Sequence, residues 1–122
     1  MLNEGNVFAT LAVKALATAK NFYGVKLGLK QEDENPGGIM YTSGNGRLFV
    51  YVAPTAGTNL ATSASWEVKD IEKVVDDLKS RGIKFEHYQI PGATMEGDIH
   101  VMGPMKAAWF KDPDGNTLGI NS

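Results

Sequence analysis

The sequence contains no cysteine. That absence excludes disulfide staples, thiolate metal sites and cysteine nucleophiles. It fits a reducing compartment, and a cytoplasmic location is expected. Basic residues are few and dispersed: 12 Lys and Arg against 14 Asp and Glu leave a formal charge of −2. There is no basic stripe of the kind that nucleic-acid binding needs. No apolar run approaches the ~20 residues of a membrane-spanning helix. The start, Met-Leu-Asn-Glu-Gly-Asn, lacks the basic flank and apolar stretch of a signal peptide. Neither nucleic acid nor membrane is therefore expected as a partner. Histidine is also scarce, with His87 and His100 the only two. No His-x-x-x-His spacing and no phosphate-loop pattern occurs. The expectation is a protein with no metal and no cofactor.

What is present is ordinary for a globular chain: 122 residues, 43% of them apolar and 21% charged. That is enough for one domain to bury a core without covalent help. Val7, Ala9, Leu11 and Val13 alternate with Phe8, Thr10 and Ala12, which predicts a strand with two distinct faces. Lys14 to Tyr23 carries Leu16, Ala19, Phe22 and Tyr23 at helical spacing, and Gly24 and Gly28 sit where that helix should end. Strands follow at Leu29 to Glu34, Gly38 to Thr42 and Arg47 to Ala53, the last after the hairpin signal Gly44-Asn45-Gly46. Pro54 to Thr62 reads as a linker. The order then repeats. Ser63 to Val68 is a strand. Asp70 caps a helix with apolar Ile71, Val74, Val75 and Leu78, and Gly82 closes it. Ile83 to Tyr88 is a strand, Pro91 to Pro104 a loop, and Lys106 to Lys111 and Thr117 to Asn121 two more strands. The result is an α+β chain of two βαβββ modules, at about 5–54 and 63–122, joined by a linker at 55–62.

Two segments carry a recognisable signature. One is Phe22-Tyr23 followed by Leu27-Gly28-Leu29. The other is Trp109-Phe110-Lys111-Asp112-Pro113-Asp114-Gly115-Asn116. With the duplicated order, the chain resembles the vicinal oxygen chelate superfamily, which includes glyoxalase I, bleomycin-resistance proteins and extradiol dioxygenases. The resemblance implies curved mixed sheets around a cup, with helices on the outer face. It also implies a homodimer. In metal-dependent members it places ligands near the start of each half's first strand and on each half's last strand. Here those positions are Phe8, Ser63, Gly119 and a place among Phe49 to Tyr51. None supplies a good divalent ligand.

Alternation puts Phe8, Thr10, Phe49, Tyr51, Ser63, Ser65, Glu67, Trp109 and Asn121 on the faces opposite the helices. These are the candidate ligand-binding residues of an aromatic cup suited to a flat, amphipathic or cationic organic molecule. For Met40 and Tyr41 the alternation leaves both orientations open. Three functions compete. The leading one is a metal-independent small-molecule binding protein. The second is a metal-free lyase or isomerase with Glu67 as general base, which requires Glu67 to be buried. The third is a dimeric interaction module. Ser63 and Ser65 have no His–Asp partners nearby, so a hydrolase triad is not expected. Asp112 and Asp114 read as turn-formers. Glu96, Asp98 and His100 read as a solvated polar loop.

Overall fold

The computed structural model describes all residues, Met1–Ser122. The first half comprises β1 (Ala9–Val13), α1 (Leu16–Ala19), β2 (Lys30–Asn35), β3 (Gly38–Ser43) and β4 (Gly46–Val52). The second comprises β5 (Thr62–Glu67), α2 (Ile71–Ser80), β6 (Phe85–Glu86), β7 (Thr94–Glu96), β8 (Ile99–Met102), β9 (Met105–Lys111) and β10 (Thr117–Asn121). The first sheet has the order β1-β4-β3-β2, and the second the order β5-β10-β9-β8-β7 with β6 also on β9. Each sheet is mixed: β1 runs parallel to β4 and β5 parallel to β10, while the other pairs are antiparallel. β1 and β5 lie side by side but share no ladder.

The expected alternation decides which face is buried. Leu11, Val13, Ile39, Leu48 and Val50 enter the core from the first sheet, and Ala108, Phe110, Leu118 and Ile120 from the second. Both helices cover this face, and one continuous cluster of 19 buried residues joins the halves. Fully burying each large side chain there is worth about 1.5–3 kcal/mol. Tyr41 joins this core, while Met40 pairs with Phe49 on the opposite, open face.

α2 follows its local chemistry closely. The Asp70 carboxylate accepts from the Lys73 amide at 3.1 Å. At the other end Gly82 (φ +88°) donates to Lys79, and Ile83 donates to Leu78. This is a Schellman closure that needs left-handed backbone at Gly82, with buried Ile83 packed at the end.

One local expectation is narrowed and two are corrected. The first helix passes Gly24, one of its two expected ends, and stops just before the other, Gly28. It runs on from α1 as a π-helical stretch, Lys20–Lys26, with the Leu27 amide bonded to the Phe22 carbonyl, and Gly28 (φ +75°) follows. The stretch from Pro91 to Pro104 is not a loop: it folds as the β7–β8 hairpin about Gly97-Asp98. The predicted strand Ile83 to Tyr88 shrinks to Phe85–Glu86. These two changes are linked. β6 pairs with the C-terminal part of β9 and β8 with its N-terminal part, so the hairpin insertion divides one strand position between two short strands.

The linker is docked rather than free. Ala56 is buried, and a Cβ at Gly57 would meet the Asp114 carbonyl oxygen at 1.8 Å. Only glycine lets the two backbones approach this closely.

Candidate functional site

The strand registers relate the two open faces position by position. Thr10 lies three residues before Val13 and pairs with Phe49; Ser65 lies three before Val68 and pairs with Gly119. Phe49 is therefore the counterpart of Gly119, and Tyr51 of Asn121. This narrows the fourth ligand position implied by the resemblance to Phe49.

On the first sheet Phe49 and Tyr51 stack at 6.0 Å, nearly parallel. Phe49 lies flat because β3 offers Gly38 beneath it: a Cβ there would strike its ring at 2.6 Å. On the second sheet Gly119 serves the same purpose for Trp109. A Cβ at Gly119 would sit 3.1 Å from the indole nitrogen and 3.0 Å from the Ser65 hydroxyl. The place where a carboxylate would be needed is thus covered by an indole. Phe8 is half open to solvent and Ser63 offers one hydroxyl. These residues do not fit a divalent metal, and nowhere do three His, Asp or Glu side chains converge.

Around Trp109 stands a ring cluster that alternation alone does not reveal. His100 lies edge-on to it at 4.9 Å and Tyr88 at 5.5 Å, with Tyr88 stacked on His100 at 6.1 Å. His100 is fully buried, which corrects its reading as part of a solvated loop. Its Nε2 accepts from the Tyr88 amide at 2.9 Å, and its Nδ1 donates to the Ala107 carbonyl at 3.3 Å. These partners place the ring proton on Nδ1. The signal that could have found this arrangement is Gly97-Asp98, a two-residue hairpin turn between alternating segments.

Asp98, in the turn between β7 and β8, binds Lys79 of α2 and His87, each at 2.7 Å. The Lys79 and His87 hydrogen bonds hold its carboxyl below the usual aspartate range.

The other predicted positions separate into two groups. Phe8, Ser63 and Ser65 line a cavity of about 490 Å³ at the seam between β1 and β5. Ser65 and Glu67 line an adjoining one of about 560 Å³, with Asn45 and Arg47 of the β3–β4 hairpin. Thr10, Phe49, Tyr51, Trp109 and Asn121 line neither. Glu67 is exposed. The general-base reading required a buried carboxylate, and it is dropped.

The signature segments hold the halves together. The buried Tyr23 hydroxyl donates to Asp112 at 2.6 Å. Asp112 also accepts from the amides of Asp114 and Asn116 and from the Asn116 side chain. Asn116 in turn donates to the Ala12 carbonyl, and Asp114 accepts from the Lys14 amide. Burial, then the negative Asp112, raises the Tyr23 phenol far above its ordinary range. This network fixes the β9–β10 turn on the end of β1.

Comparisons agree with this architecture. The family described as the Glyoxalase/Bleomycin resistance protein/Dioxygenase superfamily matches residues 6–120. No curated protein matches the sequence. Among solved structures, a glyoxalase family protein from Enterococcus faecalis is 21% identical with a TM-score of 0.72, each chain covering 100% of the other. A glyoxalase/bleomycin resistance protein/dioxygenase from Alicyclobacillus acidocaldarius is 26% identical with a TM-score of 0.65, over 99% of this chain and 93% of that one. A lactoylglutathione lyase from Agrobacterium tumefaciens is 18% identical with a TM-score of 0.66, over 96% and 92%. Identities this low speak for the fold and not for a reaction. The chain belongs to the glyoxalase/bleomycin resistance protein/dioxygenase superfamily.

Proposed function

We propose that this protein binds a small organic molecule without a metal, holding it against the aromatic open faces of the two sheets. The observation that carries the reading is the Trp109 indole laid over Gly119, with Tyr88 and His100 edge-on around it. An indole laid over the register position of a metal ligand offers a π-face in place of a charge. Phe49 and Tyr51 present a second π-surface at the equivalent register of the first sheet. Such surfaces favour flat ligands, and cationic ones gain further from the ring quadrupoles.

Titration with ethidium, a planar aromatic cation, tests this. Saturable binding is expected in the presence of EDTA, weakened about tenfold or more by Trp109→Ala. Equilibrium dialysis against zinc, nickel, iron and manganese is the counter-test. Stoichiometric tight binding of any of them, or ethidium binding indifferent to Trp109, would overturn the reading.

A further inference from the structure

A third cavity lies on the helix-covered side of the sheets; it shares Ser43, Trp66 and Val68 with the cavity of about 560 Å³, but none of the candidate open-face residues lines it. Its volume is about 130 Å³, and eight of its nine lining residues are apolar. Leu27 and Leu29 close one side, Val74 of α2 another, and Phe110 and Trp66 form the walls. The single polar lining group is the Ser43 hydroxyl. It accepts from the Trp66 indole N–H at 3.1 Å. A hydroxyl has one donor of its own besides its acceptor sites, so Ser43 keeps an O–H to offer. Leu27, Leu29, Ser43, Trp66, Val68 and Val74 are all half-buried, so the cavity is open along this rim, while Leu78, Phe110 and Ile120 form its buried floor.

We propose that this cavity is a site for a single-ring, largely apolar organic molecule bearing one acceptor oxygen. Three observations converge on it. An apolar cavity of ~150 Å³ lined by aliphatic and aromatic side chains takes a benzene-sized guest, so the volume here suits one ring. The lining excludes charged ligands, because no ionisable side chain faces the cavity. The lone hydroxyl supplies one directed hydrogen bond, held in place by the indole. The chain geometry that builds the site is itself unusual. The Leu27 amide bonds to Phe22 and the Leu29 amide to Tyr23, so the π-helical stretch carries both leucines round to the cavity edge. Such stretches are rare in helices and recur at functional sites.

Ligand-observed ¹⁹F NMR with fluorobenzene and 4-fluorophenol tests the proposal. Both probes are expected to bind saturably to the unmodified protein, 4-fluorophenol more tightly. Ser43→Ala should weaken 4-fluorophenol about fivefold, as loss of one neutral hydrogen bond does, and leave fluorobenzene unchanged. Val74→Phe should abolish both signals by filling the cavity. Leu27→Phe, on the facing side, provides the same readout should the helix variant fail to fold. In the Trp109→Ala background both probes should still bind, and Ser43→Ala should still weaken 4-fluorophenol alone. Absence of saturable binding to the unmodified protein overturns the proposal. So does loss of the signal on Trp109→Ala with retention in Val74→Phe, since the probes would then occupy the open face. Self-association that depends on Val74, with no probe bound, would assign the cavity to a second copy and overturn it equally.

Discussion

Tyr23 shows how much a single side chain can carry. It fills core volume against Phe22, edge-on at 5.0 Å, and its hydroxyl reaches a buried carboxylate from the other half. Tyr23→Phe keeps the ring and removes only the donor to charged Asp112. The expected loss is about 1.5–3 kcal/mol of stability, the range for a hydrogen bond to a charged partner, read as a lower urea midpoint with an unchanged slope. A loss within error would mean that Asp112 is satisfied by its backbone and Asn116 donors alone. Tyr23 and Asp112 were both visible as signature residues, and Asp112 as a turn-former. Their contact was not visible, because 89 residues separate them. The burial of His100 is hidden in the sequence for a related reason. The acidic Glu96 and Asp98 just before it suggest a polar loop, but its neighbours in space are Trp109, Tyr88 and the Ala107 carbonyl.

Among the elements, those with strong local chemistry were legible. α2 has its Asp70 cap, its apolar stripe and its Gly82 closure within a dozen residues, and it forms where the pattern puts it. β1 and β4 were recognisable from period-two alternation, because one face of each is buried and the other more open; β10 is buried on both faces and was recognisable from the Asp112-Pro113-Asp114-Gly115 turn before it. The β7–β8 hairpin escaped because glycine and proline around it weigh toward loop, although Gly97-Asp98 is a hairpin turn in its own right. Its attachment depends on His100, whose Nε2 receives the Tyr88 amide. His100→Ala leaves that amide without its partner and opens a void beneath Trp109, a cost of about 2–4 kcal/mol. Hydrogen exchange should then quicken at Tyr88 and through β7–β8 well before β3 and β4 are affected. Uniform acceleration throughout the chain would show instead that the hairpin unfolds only with the whole.

At the scale of the whole molecule, the two halves form one cooperative unit because their helix-covered faces share a core and the Asp112–Asn116 turn is fastened to β1. Two buried phenols give that unity a pH signature. Burial raises the Tyr23 phenol, reinforced by Asp112, and burial raises Tyr41, reinforced by Glu34. A group whose folded value lies above its unfolded one contributes its full stability below the unfolded value, here ~10, and loses it as pH climbs beyond. Alkaline unfolding is therefore expected above that point. The tyrosinate absorbance of these two residues should rise together with the loss of circular dichroism. Reversible titration of all four tyrosines with the fold intact would contradict the coupling.

The α+β class, the duplicated order of elements, the buried face of the main strands and the absence of ligating side chains at Phe8, Ser63 and Gly119 are legible along the chain. Each of these depends on residue type and short-range periodicity, which the chain carries locally. Tertiary structure decided what those faces became. It laid Trp109 over Gly119, matched Phe49 to that position through strand register, and withdrew Glu67 from any buried role by leaving it exposed. It also hollowed out the apolar cavity between Leu27, Ser43 and Trp66. Those outcomes rest on contacts between residues far apart in the chain, where packing and register rather than local preference set the geometry.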